Sequence, residues 1–138
     1  MNKCVSKTKD PRIVFAENRQ KATFLNPNGR EVKRVKVDGC AITSGLRCDG
    51  MLSDPDRCNW YIELKGKGIE HAFKQIRNSI LQLNQKFGNL PTIAIIVASR
   101  VKAPANAVFD KATARAKTER RLQLKNAKLY RKARVELD

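Results

Sequence analysis

An α/β fold with a mixed sheet is what the sequence predicts, on three observations. Three strand-like runs set off by turn clusters lie between positions 30 and 66, a long helical repeat follows them, and a continuously apolar segment occupies 92–98. A central strand covered on both faces reads as such an apolar run, and reaching it through a helical crossover implies parallel pairing. The three earlier strands are joined by short turns, which implies an antiparallel meander.

Taken in order, Asp10-Pro11 pairs a helix cap with the residue best tolerated at a first helical position, so a helix is expected to about Leu25. Asn26-Pro27-Asn28-Gly29 ends it. Val32, Val35, Val37 and Ile42 mark the first strand, Thr43-Ser44-Gly45-Leu46 its tight turn, and 46–53 the second strand. Ser53-Asp54-Pro55-Asp56-Arg57 is a turn cluster, and the third strand is Trp60-Tyr61-Ile62-Glu63-Leu64-Lys65-Gly66. Ile69, Ala72, Phe73, Ile76, Ile80, Leu83 and Phe87 then recur at helical intervals until Gly88 closes the segment. Beyond the apolar strand, residues 105–126 read as a basic C-terminal helix, and 129–137 as a last edge strand. The order is α-β-β-β-α-β, then α and β, in one domain spanning 1–138 with no internal repeat.

The chain carries 29 Lys+Arg against 13 Asp+Glu, a formal charge of +16. Such a surplus favours a polyanion through counterion release, which makes nucleic acid the expected partner. No apolar run approaches the ~20 residues of a spanning helix, and no secretory leader pattern follows Met1, so a soluble cytoplasmic protein without a membrane partner is expected. Cys4, Cys40, Cys48 and Cys58 show no C-x-x-C pair and His71 is the only histidine, which argues against structural zinc and for ordinary reduced thiols.

One constellation looks like chemistry. On a strand, Tyr61, Glu63 and Lys65 share one face while Trp60, Ile62 and Leu64 share the other, the expected core side. A carboxylate and an amine on one rigid face, with Asp49 from a neighbouring strand, is what a hard cation and an activated water require. The competing reading is a Glu63/Lys65 surface ion pair. A second acid, Glu17, falls within the expected buried face of the first helix and needs a partner there, either a site or Lys21 one turn on. Asp38 reaches the same sheet face as Asp49 if Ser44-Gly45 is a two-residue turn that puts Cys40 opposite Asp49.

These elements and charges resemble the PD-(D/E)xK nuclease superfamily, with Cys48-Asp49-Gly50 at its first motif and Glu63-Leu64-Lys65 at its second, over about residues 10–100. Cys48 stands where the family name has proline. The resemblance implies a restriction-endonuclease-like α-β-β-β-α-β core with helices flanking a mixed sheet. It further implies that Asp49, Glu63 and the Leu64 carbonyl ligate Mg²⁺ or Mn²⁺, that Lys65 orients or deprotonates the attacking water, and that Glu17 adds an acid. Gln75 matches a glutamine that family members place on the helix after the motif strand. His71, one turn before it, reads as a solvated histidine. The implied reaction is phosphodiester hydrolysis, on DNA ahead of RNA, by a chain compatible with a homodimer or a targeting partner.

The stretch 111–134 holds ten Lys+Arg and one acid, Glu119. Helical spacing sets Lys111, Arg115, Thr118 and Arg121 along one strip suited to tracking phosphates. The rival reading of the whole chain is a basic nucleic-acid-binding protein, for DNA or RNA, that cuts nothing.

Overall fold

The computed structural model describes residues 2–17, 19–64, 68–98 and 103–137. It is an α/β structure in three layers. The middle layer is a six-stranded mixed sheet of β1 (Val5–Thr8), β4 (Val32–Lys36), β5 (Gly50–Asp54), β6 (Cys58–Leu64), β7 (Thr92–Val97) and β8 (Leu124–Tyr130), in that spatial order. The first four strands pair antiparallel, and β6, β7 and β8 pair parallel. One layer outside it holds α1 (Ile69–Leu83) and α2 (Ala103–Thr118); the other is a small sheet of β2 (Arg12–Glu17), β3 (Gln20–Leu25) and β9 (Ala133–Glu136).

Two cores result, one on each face of the large sheet. On the helical side Ala72, Ile76, Ile80 and Leu83, spaced to form one stripe, pack with Val35, Met51, Tyr61, Ala94 and Ile96. On the other side Ile13, Phe15, Ala22 and Phe24 meet Leu52, Ile62, Leu64, Ile95 and Val97. Phe24 joins Phe15 and Trp60 edge-on, with ring centroids 5.8 and 5.4 Å apart. The motif strand β6 is therefore covered on both faces, whereas one covered side was expected. The helix after it runs as anticipated, tightening to a 3-10 turn at Asn84–Phe87 and ending at Gly88, whose φ of 89° favours glycine.

The expected first helix is instead the β2–β3 hairpin, registered from Arg12↔Leu25 to Glu17↔Gln20. Its burial alternates, with Ile13, Phe15, Ala22 and Phe24 inward, a period of two that residues such as Val14 and Thr23 favour. Asp10-Pro11 caps nothing; the Pro11 carbonyl accepts the Asn26 amide and closes the hairpin's open end. The restriction-endonuclease-like expectation thus loses its leading helix, and helices flank only one face of the sheet.

Four further expectations change. The second strand begins at Gly50, not 46, because the preceding loop is fastened to α1: the Cys48 amide donates to Ser79 Oγ (2.8 Å), Gln75 Nε2 to the Arg47 carbonyl (3.2 Å), and Asn78 to the Leu46 carbonyl. The basic helix stops at Thr118, because buried Leu122 follows in a 3-10 turn and Gln123 adopts a left-handed φ of 50° that starts β8. The last edge strand is two strands in different sheets, β8 beside β7 and β9 beside β3. Finally, Cys4 and Cys40 form a disulfide, because pairing of Val5 with Val35 brings the two ends together at a Cα separation of 5.7 Å. Only Cys48 and Cys58 are free thiols. Among the described residues no helix is long and apolar enough to cross a membrane.

Candidate active site

At the end of the large sheet, four acids come together from four segments. Glu17 closes β2, Asp38 follows β4, Asp49 immediately precedes β5, and Glu63 is next to last in β6. Carboxylate oxygens of Glu17, Asp38 and Asp49 all lie within 4.8 Å of one another. Asp49 is central: its amide donates to the Ile62 carbonyl (3.0 Å) and its Oδ2 accepts the Leu64 amide (2.6 Å), fixing it against the motif strand. Asp38 sits beside it through its amide, which donates to the Asp49 carbonyl (3.3 Å), and Arg47 Nε holds its carboxylate (2.7 Å). Lys36 is the residue opposite Gly50, so the expected Cys40–Asp49 register does not form; Asp38 reaches Asp49 without it.

Glu63 lies behind this trio on the helical face and is 4% exposed. Among the described residues its buried Oε1 has no hydrogen-bond partner. Burial, then the charge of Asp49 and a hydrogen bond shared with it, raise the Glu63 pKa well above the usual carboxylate range. Asp49 is raised too, by burial first and next by its hydrogen bond to Glu17, while the Leu64 amide opposes the shift. Carboxylates crowded this way either hold protons or share a cation.

The trio opens into a cleft of about 470 Å³ lined also by Phe15, Ala16, Arg34, Val35, Lys36 and Leu64. Oxygen donors at this density, with an orphaned acceptor just behind, fit a hard divalent ion such as Mg²⁺ or Mn²⁺. Thiols are the wrong donors for it, and the nearest, Cys48, is pushed up to about 12 by burial.

Of the other sequence-derived residues, Lys65 lies outside the described residues. Leu64 lines the cleft and gives its amide to Asp49. Gln75 pins the loop before Asp49 through Arg47, and its Oε1 is buried without a partner. His71 is exposed. Lys111 and Arg115 line a separate groove between α1 and α2, apart from the acids. Arg121 leaves their strip, since it lies in the 3-10 turn and sits 3.5 Å from Glu119, an acid already forked by Arg77 at 2.7 Å.

Sequence reasoning overlooked Arg34 and Lys36. The alternation of Arg34 and Lys36 with Val35 and Val37 marks them as one strand face, a signal masked by their resemblance to an ordinary solvated edge. Comparison with protein-family models, curated proteins and solved structures returns no match.

Proposed function

We propose that this chain is a metal-dependent nuclease that hydrolyses phosphodiester bonds, in DNA ahead of RNA, with Mg²⁺ or Mn²⁺ as cofactor. One observation carries the reading: Glu17, Asp38 and Asp49 share a cleft, backed by buried Glu63 with an unpartnered oxygen, on a chain of charge +16. The segment β4-β5-β6-α1-β7, with Asp49 and Glu63 at its edge, resembles the PD-(D/E)xK core, with the β2–β3 hairpin supplying the acid that a helix was expected to carry.

Glu17, Asp38 and Asp49 would hold the ion, and the Leu64 amide fixes the Asp49 carboxylate by donating to its Oδ2. Glu63, whose pKa is raised by burial and by Asp49, would give up its proton on metal binding and add negative charge behind the trio. The bound ion supplies a water of lowered pKa and offsets charge growing on the phosphate. Lys65, two beyond Glu63 in sequence, is assigned orientation of that water. Gln75 acts at one remove, by holding the loop that delivers Asp49.

The test is incubation of supercoiled plasmid and labelled oligonucleotides of both sugars with Mg²⁺ or Mn²⁺. Cleavage by the wild type, lost in Asp49→Ala with gel retardation intact, supports the proposal; retardation without metal-dependent cutting leaves the binding-only reading, which the net charge by itself favours.

A further inference from the structure

The cleft holds two cations whose role the acids do not explain. Arg34 and Lys36 stand two apart on β4, so both project to the face that carries the hairpin, and both line the cleft with Glu17, Asp38 and Asp49. Among the described residues neither side chain makes an ion pair or a hydrogen bond, although Arg30 and Arg47 each hold an aspartate. Arg34 is nonetheless fixed: its guanidinium lies 4.4 Å from the centroid of the Phe15 ring.

That ring is itself seated by a missing side chain. A Cβ on Gly50 would stand 2.6 Å from Phe15 Cδ2 and 2.7 Å from Cε2, so the ring occupies the space a larger residue would need. Gly50 seats Phe15, and Phe15 supports a planar donor fork at the mouth of an acidic cleft. A half-buried guanidinium without a carboxylate is costly unless an anion completes it. A phosphodiester on a nucleic-acid strand matches the fork in two-point fashion.

We infer that Arg34 and Lys36 form a phosphate clamp, which seats the sugar-phosphate backbone of the substrate strand beside the four acids. The inference rests on the nuclease reading above and deepens it, by requiring a polymeric substrate with phosphates beyond the one being cut. Neither residue is catalytic; both position the strand.

The decisive measurement is fluorescence anisotropy of a labelled duplex in EDTA across NaCl concentrations, with the wild type, Arg34→Gln, Lys36→Gln and, as a charge-matched control on the distant 3-10 turn, Lys86→Gln. Each clamp variant should weaken binding and flatten the log-affinity against log-salt slope by about 0.9, one phosphate's worth of counterions, while the control does neither. Arg34→Lys should keep the slope but bind more weakly, and circular dichroism should show all four variants folded. In the cleavage assay, Arg34→Gln should raise KM for the oligonucleotide with little change in kcat. Folded clamp variants that bind DNA with the wild-type affinity and slope would overturn the clamp while leaving a cleaving enzyme intact. A wild type that binds through Arg34 and Lys36 but never cuts would retain the clamp and overturn the nuclease.

Discussion

Glu63→Gln should make the metal-free protein more stable at pH 8. The wild-type carboxyl is 4% exposed beside Asp49, with one oxygen unpartnered, and burial together with that neighbour raises its pKa. The folded state therefore binds this proton more tightly than the unfolded chain, whose glutamate titrates near 4.3. Stability from the protonated form is fully present below that value and is lost as pH rises through the folded pKa. A hundredfold change in proton affinity corresponds to about 3 kcal/mol, since each factor of ten is about 1.4 kcal/mol. In a chain of this length that is roughly 10 °C in melting temperature. Glutamine keeps the shape, carries no charge, and its amide donates where a carboxylate repels Asp49. Thermal melts in EDTA at pH 4 and pH 8 should show the two proteins together in acid and the variant well above the wild type at pH 8. A variant less stable at pH 8, or a difference that does not change with pH, would refute the account of Glu63 as a desolvated acid.

Three other outcomes follow from the same geometry. Because the raised acids must shed protons to hold a cation, Mn²⁺ stabilisation of the wild type should grow from pH 6 to pH 8, reaching about 2.7 kcal/mol at a hundred times the Kd, and should vanish in Glu63→Gln and Asp49→Asn by calorimetric titration. Gly50→Ala should cost about 1–3 kcal/mol by displacing the Phe15 ring, read by chemical denaturation and by weaker DNA binding as Arg34 loses its support. Cys4→Ser should lower stability by about 4 kcal/mol, the loop-closure value for a link between residues 36 apart, with a matching loss when the wild type is treated with dithiothreitol.

The features that local pattern encodes were legible. The apolar run 92–98 and the stripe from Ala72 to Leu83 each carry their own period, so the crossover and the parallel pair of β6 and β7 followed directly. The hairpin was misread because Asp10-Pro11 is a strong local cap signal, while the evidence for strands, Ile13 and Phe15 inward with Ala22 and Phe24, shows only against a sheet that lies far along the chain. Glu17 was singled out as an acid on a face that should be buried; it reaches the cleft from the end of a strand and is itself exposed, so the reason for choosing it does not hold. The disulfide depends on the β1–β4 pairing, a contact between segments 30 residues apart with no signature in cysteine spacing. Arg34 and Lys36 needed the opposite: knowledge of which strand end faces the acids.

The small sheet joins segments far apart in the chain. Ala22 in β3 registers with Ala133 in β9, a separation of 111 residues, and β3 is the strand that holds β2, whose final residue is Glu17. At elongation rates of about 5–20 residues per second, the hairpin waits roughly 6–22 s for its outer partner to be made. During that interval one edge of β3 is bare. A message truncated before residue 133 would leave β3 without its parallel neighbour and reduce the small sheet to a two-stranded hairpin.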